Sequence, residues 1–217
     1  MKDNHNIHAH TINACRACGG PVDVILELGT SPIANRLVAS AADRPASYPL
    51  GLSQCRLCSL VQNSVILPTS ELFSADYPYR SATSAIVREN AAGLSAAVAA
   101  RLSEGARALD VGSNDGTTQL ALASQGIRCF GVDPARAAVE VARKSGCEAL
   151  CAPFDAAAAK EVIRRFGSVD VVTMSNVLAH VPDPAALLDH AVTGLRPGGQ
   201  LVIEVQSWAA LVGLGAF

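Results

Sequence analysis

Leu109-Asp-Val-Gly-Ser-Asn-Asp-Gly116 is the stretch that decides the fold. A short apolar strand ends at Gly112, and a helical pattern opens at Thr117. Gly112 and Gly116 permit a tight turn and close approach of a ligand to the backbone. The Gly-x-x-x-Gly spacing is weak evidence alone. It gains weight from Gly131-Val-Asp133-Pro134, which sets an acid at the tip of the next strand. A carboxylate there can accept both hydroxyls of an adenosine ribose.

Outward from this turn the chain alternates strand and helix. The expected strands are Ala108–Val111, Arg128–Val132, Ala149–Cys151, Val169–Met174 and Gln200–Gln206. Between them lie expected helices at Thr117–Ser124, Pro134–Ser145, Ala156–Phe166 and Pro184–Leu195, with Arg196-Pro-Gly-Gly199 as a turn. Such alternation specifies an α/β fold with a parallel, doubly wound, Rossmann-like sheet. Upstream, Ser81 to Leu102 is Ala-rich and reads as a connecting helix.

Two ligand chemistries suit the turn: a dinucleotide and S-adenosylmethionine. The middle glycine of the dinucleotide fingerprint is replaced by Asn114, and Asp115 adds a second acid to the loop. Negative charge there opposes a pyrophosphate but suits a sulfonium bearing an amino group. S-adenosylmethionine is the better match, held by Asp110, Gly112, Asn114, Gly116 and Asp133, with Asp110 toward the methionine amino end. The bland alternative is a Rossmann-like turn with no ligand.

The first 65 residues are turn-rich and carry two Cys-x-x-Cys pairs, Cys15/Cys18 and Cys55/Cys58. Two such knuckles supply four thiolates for a tetrahedral zinc ion, and a site closed by four thiolates has no open position for catalytic water. The zinc is therefore expected to be structural, a staple for a segment with little core. The polar opening Met1–His10 shows no secretory signal and Glu204 and Gln206 interrupt the best apolar run, so a cytoplasmic, reducing location is expected, without membrane insertion. Cys129, Cys147 and Cys151 read as small buried hydrophobes.

Half the residues are apolar and 17% are charged, enough for a real core. The formal charge of −2 lacks the basic excess of a nucleic-acid binder. The expected domains are a zinc-binding domain at 1–65, a helical linker at 66–102 and a cofactor-binding domain at 103–217.

In order along the chain, Cys15-Arg-x-Cys-Gly19, Leu28-Gly-Thr-Ser-Pro-Ile-Ala-Asn35, Tyr48-Pro-Leu50 and Phe73-Ser-Ala-Asp-Tyr77-Pro-Tyr79-Arg-Ser81 precede Gly112-Ser-Asn-Asp-Gly116, Asn176-Val-Leu-Ala-His180-Val-Pro-Asp183 and Glu204-Val-Gln206. Taken together they resemble the zinc-containing sugar C-methyltransferases of deoxysugar biosynthesis. The resemblance implies a class I methyltransferase sheet and a nucleotide-linked 4-keto-6-deoxysugar as substrate. A ring carbon beside the ketone would lose a proton, and the enolate would attack the sulfonium methyl. It places Asn176 and His180 at the active site and brings Tyr77 or Tyr79 to the sugar or enolate oxygen. Packing is the alternative for the tyrosines, and a capping or surface role for His180. His5, His8, His10 and His190 have no motif and receive no role.

The resemblance departs at Ser59, where a glycine is usual, and at Asn90, roughly where the linker often carries a histidine. It also implies, beyond Phe217, a Tyr and Glu-His motif that supplies further catalytic groups, including the general base, and a second α/β domain that helps hold the nucleotide sugar. The chain is accordingly expected to be truncated, its sheet incomplete at the C-terminal end and its fifth strand an open edge. Trp208-Ala-Ala-Leu-Val-Gly-Leu214 would then be an apolar surface prone to self-association. Two other readings compete with it. One is a zinc-bearing nucleic-acid base methyltransferase, disfavoured because Ser175-Asn-Val-Leu-Ala-His180 stands where Asn/Asp-Pro-Pro-Tyr is usual. The other is a catalytically incomplete cofactor-binding remnant.

Overall fold

A computed structural model of the protein describes residues 9–215 except Ala41 and Asp76. His5 and His8, which received no role, and Asp76 of the linker motif lie outside the described residues. The chain forms two compact units, one from residues 1–73, 182–185 and 208–217, the other from 74–181 and 186–207.

The first unit contains β1 (His10–Thr11), β2 (Val22–Pro32), β3 (Ser47–Cys55), β4 (Val61–Asn63), β5 (Val65–Ile66) and α1 (Thr69–Leu72). β2, β3 and β4 form an antiparallel sheet in that order, and β1 pairs antiparallel with β5. Its interior is sparse: Cys15, Ile33 and Cys55 are its buried hydrophobic residues among those described, while Val24, Ile25, Leu26 and Leu28 of β2 stay exposed. Two of the four cysteines, Cys15 and Cys55, are thus among the few buried residues of this unit, while Cys18 and Cys58 are exposed.

The second unit contains α2 (Ala85–Ala99), β6 (Arg107–Val111), α3 (Thr117–Ser124), β7 (Arg128–Asp133), α4 (Arg136–Lys144), β8 (Glu148–Cys151), α5 (Ala156–Phe166), β9 (Val169–Ser175), α6 (Pro184–Gly194, whose first two residues cluster with the other unit) and β10 (Leu195–Glu204). α7 (Trp208–Leu214) closes the described chain, and Trp208, Val212 and Leu214 are exposed. The five strands run parallel in the order β10-β9-β6-β7-β8. β10 is therefore one edge of the sheet.

Alternation along the strands divides the core. Leu109, Val111, Phe130, Val132, Val172 and Met174 cluster with Val162 and Phe166 of α5 and with Leu187 and Ala191 of α6. Ala108 and Val171 cluster instead with Leu122 of α3 and Val98 of α2. The helix expected to be a connector therefore contributes to the layer over the sheet. α2 starts at Ala85 rather than Ser81 because Ser84 caps it, its Oγ accepting from Val87 N–H at 3.4 Å. The expected turn at Arg196–Gly199 is a bulge within β10, where pairing jumps from Leu195–Val169 to Gln200–Val171. No described helix is long and apolar enough to cross a membrane.

Candidate cofactor site and metal centre

The site lies at the carboxyl ends of the strands, where the order reverses between β6 and its neighbours β7 and β9. β6 ends in Asp110 and Val111, and the chain turns through Gly112 (φ 71°), Asn114 (φ 47°) and Gly116 (φ 84°) into α3. Asp133 at the tip of β7 fastens this loop: its Oδ2 accepts from Asn114 N–H at 2.9 Å and its Oδ1 from Ala135 N–H at 2.7 Å. Burial raises the Asp133 carboxyl above its ordinary pKa, opposed by those two backbone donors and by the nearby charge of Arg80. Asp110 lies one layer deeper, fully enclosed, and Thr173 Oγ1 donates to its Oδ1 at 2.7 Å. Burial pushes Asp110 up to about 7, the Thr173 hydroxyl opposes this, and the Asp133 charge adds to it.

Tyr77 to Ala82 runs along the loop. Asn114 Oδ1 accepts from Ser81 N–H at 3.1 Å, Asn114 Nδ2 donates to Tyr79 O at 3.3 Å, and Asp115 Oδ2 accepts from Ala82 N–H at 3.0 Å. Tyr77 and Tyr79 thus stand beside the cofactor loop, their rings 6.4 Å apart. Arg80 turns back on this segment, its Nη1 donating to Tyr77 O at 2.6 Å and Tyr79 O at 2.7 Å. After β9, Asn176 (φ 56°) begins a turn that sets Val177 directly over Gly112 and carries His180 in a 3-10 turn. Partial burial of the ring lowers the His180 pKa from its ordinary value, although the residue as a whole is exposed.

The donors at this loop fit S-adenosylmethionine. Asp110, Asp115 and Asp133 are all buried, and none takes part in the ion pairs formed among the described residues. Three acids without a paired cation suit a ligand bearing a sulfonium and an ammonium, and oppose a pyrophosphate. An open cleft at the other, amino-terminal edge of this sheet, lined by Glu104, Asp170 and Arg196, lies away from these groups; there Arg196 pairs with Asp170 at 2.8 Å.

In the first unit, Cys15, Cys18, Cys55 and Cys58 converge with all four sulfurs within 4.8 Å of one another. The Sγ–Sγ distances are 3.6 Å for Cys15–Cys58 and 3.5 Å for both Cys18–Cys55 and Cys18–Cys58. Thiolates at ~2.3 Å from a tetrahedral ion lie about 3.8 Å apart, whereas a disulfide needs ~2.05 Å. The donor set fits zinc, and every cysteine is free. Backbone donors prepare the thiolates: the Cys58 and Leu57 N–H groups bring Cys55 down to about 6. For Cys18 the Gly20 N–H acts downward, but Cys55, Cys58 and Cys15 outweigh it and push the thiol up to about 12. Thiols competing for the same protons all ionise when a divalent ion takes them. Cys129, Cys147 and Cys151 are half-buried and outside the cluster.

Sequence reasoning gave no role to Thr173, Arg80, Ser81 or Ser175. Thr173 carried a visible signal, the one hydroxyl before Ser175 in an otherwise apolar strand after Asp170. Asn90 and Glu204, noted earlier only in sequence motifs, are joined in space: Asn90 Nδ2 donates to both Glu204 carboxylate oxygens at 2.8 Å.

Two family models match the chain: "Methyltransferase domain" over residues 83–212 and "Putative zinc binding domain" over residues 15–73. The C-methyltransferase NovU of Streptomyces niveus is 30% identical over 200 residues, covering 89% of this chain and 47% of NovU. A ubiquinone biosynthesis O-methyltransferase of Xylella fastidiosa is 36% identical over 102 residues, covering 46% of this chain and 42% of that protein. The chain thus spans about half the length of the curated relatives it matches. Among solved structures, the plantazolicin methyltransferase BpumL, crystallised with a desmethylPZN analogue and SAH, superposes with a TM-score of 0.50 at 16% identity, covering 62% of this chain and 53% of that one. This last likeness bears on the fold of the sheet.

Proposed function

Since the chain belongs to the methyltransferase-domain family, with a zinc-binding segment before the methyltransferase domain, we propose that it transfers a methyl group from S-adenosylmethionine to a ring carbon of a nucleotide-linked keto-deoxysugar. The observation that carries the carbon acceptor is the likeness to the C-methyltransferase NovU, which runs through 89% of the chain. The likeness to O-methyltransferases supports a second reading, an oxygen acceptor, but it covers less than half of the chain.

Bound at the carboxyl edge, the cofactor supplies an electrophilic methyl on a sulfonium. Asp133 receives the ribose hydroxyls on the lone pairs left by Asn114 and Ala135 N–H. Asp110 lies toward the amino end, where the cation favours its ionised form. Gly112 and Gly116 shape the loop, and Asn114 ties it to the Tyr79–Ser81 segment. Asn176, His180, Tyr77 and Tyr79 face the acceptor. A neutral His180 can donate to the developing enolate oxygen or relay a proton. Zinc, held by Cys15, Cys18, Cys55 and Cys58, is structural.

Titration calorimetry with S-adenosylmethionine, followed by methyl transfer to a nucleoside-diphosphate 4-keto-6-deoxysugar, tests the reading. Asp133→Ala is expected to weaken cofactor binding by about 1–3 kcal/mol through lost hydrogen bonds to a charged group. Undiminished binding would move the ribose contact elsewhere. Transfer to a phenol but not to the keto sugar would favour the oxygen acceptor.

A further inference from the structure

We propose that the Tyr77–Ala82 segment is a gate on the cofactor site, released from Asn114 and Asp115 when S-adenosylmethionine enters or leaves and closed over it in between. The inference rests on the cofactor assignment above and is independent of the acceptor. The residues involved all belong to the second unit.

A gate is required because the groups that would hold the cofactor are covered. Asp110, Asp115 and Asp133 are 2%, 4% and 7% exposed, and Asn114 is 8% exposed. A ligand of this size reaches none of them until a covering element moves. Val177 covers Gly112 but packs on the larger apolar cluster of the sheet, so displacing it would open the core. Tyr77–Ala82 covers Asn114 and Asp115 and contains no buried residue. Three hydrogen bonds fasten it to the loop: Ser81 N–H to Asn114 Oδ1, Asn114 Nδ2 to Tyr79 O, and Ala82 N–H to Asp115 Oδ2. A segment held by a few polar bonds without apolar burial lies at the low-stability end of a fold, where ligand gates are found.

The same bonds link the gate to the ligand. Asn114 grips the segment with both ends of its side-chain amide, while its own N–H donates to Asp133 Oδ2 at 2.9 Å. Asp133 is the acid assigned to the ribose. The residue that latches the gate is therefore fastened to the group that meets the cofactor. The hinge lies at the other end, where Ser84 caps α2 and Arg88 Nη1 donates to Ala82 O.

The experiment compares the full protein with Ser81→Pro and Arg88→Met. Position 81 opens a 3-10 turn, and Arg80 before it is extended (φ −133°, ψ 124°), the conformation that proline asks of its predecessor. Proline there removes the N–H that Asn114 accepts. Arg88→Met loosens the hinge with an exposed residue outside the cofactor loop. Three quantities are measured: association and dissociation rates of S-adenosylmethionine by surface plasmon resonance, its affinity by calorimetry, and hydrogen exchange of the Ala82 amide by NMR.

In the wild type, saturating cofactor should slow Ala82 exchange. Ser81→Pro should speed Ala82 exchange and raise both rates about 3- to 10-fold, the worth of one hydrogen bond, with affinity kept within about threefold. Arg88→Met should move the same quantities the same way by about 2- to 3-fold. If urea unfolding shows that Ser81→Pro has lost the fold, Arg88→Met decides alone. A dissociation rate that rises alone, with affinity falling in proportion, would make the segment a wall of the bound site and overturn the gate. Faster Ala82 exchange with unchanged cofactor rates would overturn it too, by showing that the cofactor enters elsewhere. So would exchange and rates unchanged in both variants, since these bonds would then hold nothing shut. Absence of cofactor binding by the wild type would instead defeat the cofactor assignment itself.

Discussion

Thr173 Oγ1 donates to Asp110 Oδ1 at 2.7 Å across two adjacent parallel strands, in the interior of the sheet. The two residues are paired in register, and strand alternation sends both side chains to the same face. A buried carboxyl with one hydroxyl donor is poorly compensated for the loss of water, which is why its pKa rises to about 7. One polar pair therefore makes the core beneath the cofactor loop sensitive to pH.

The sign follows from linkage. In the unfolded chain Asp110 has a pKa near ~3.9, so between that value and about 7 the folded state holds a proton the unfolded state has released. Its contribution to stability is best below the unfolded pKa, falls as pH rises through this window, and is constant above it. Asp110→Asn removes the ionisation and keeps an oxygen for Thr173. Relative to wild type it should gain stability between pH 4.5 and 8, on the order of 3 kcal/mol. Urea unfolding of both proteins at the two pH values measures this; parallel pH dependences would mean that Asp110 is ionised in the fold throughout.

The same carboxyl should couple to the cofactor. A sulfonium and ammonium brought near Asp110 favour its charged form, so binding near pH 6.5 should release protons. Calorimetric titrations in buffers of different ionisation enthalpy would detect the release, which should shrink in Asp110→Asn. Buffer-independent heats for the wild type would place the cationic end of the ligand away from Asp110.

Ser59 marks another local conflict. It follows the second knuckle with φ 61°, while Gly19 follows the first with φ 71°. Both turns end on the same bond, Gly19 N–H to Cys15 O at 2.9 Å and Ser59 N–H to Cys55 O at 3.1 Å. A side chain in this left-handed conformation costs about 1–2 kcal/mol, partly offset by the greater freedom of glycine when unfolded. Ser59→Gly should stabilise the zinc-loaded protein by about 0.5–1 kcal/mol, and Gly19→Ser should destabilise it similarly. Thermal unfolding with zinc present tests both; no change at either position would mean that the turn relaxes.

Zinc removal should act on one unit selectively. The first unit has so few buried apolar residues that four thiols cannot hold its sheet without the ion, whereas the parallel sheet has its own clusters on both faces. A strong chelator should abolish amide protection at Ser53 and Cys55 in β3 and leave Leu109 and Val172 protected. Retained protection in β3 after metal loss would show that the antiparallel sheet is stable unaided.

The parallel sheet was legible because its strands are short apolar runs bounded by glycine and polar residues. α3 and α5 span the residues expected, and β6 and β7 differ from expectation by a single residue at one end. The bulge at Arg196–Gly199 was not legible, since Pro and two glycines signal a turn whether or not a neighbouring strand resumes pairing. Asp133 could be placed at a strand tip by counting. The clasp of Ser81 and Ala82 on Asn114 and Asp115 could not, because backbone donors leave no mark in the choice of side chain. Asn90 and Glu204, 114 positions apart, meet only once α2 has packed on the sheet.

Gly112 combines both kinds of constraint. Its φ of 71° disfavours any side chain, and a Cβ there would overlap Val177 Cγ2. Gly112→Ala should therefore destabilise the second unit by about 2–3 kcal/mol, the conformational and steric costs together. Val177→Ala removes the overlapping methyl groups but leaves φ unchanged, so the double variant should recover the steric part alone. It should remain about 1 kcal/mol less stable than Val177→Ala. Cofactor affinity separates the two roles of the glycine. If its main service is to let Val177 close over the loop, the double variant should bind S-adenosylmethionine nearly as well as Val177→Ala. A double variant that regains stability but not affinity would show that the Cβ intrudes on the ligand itself.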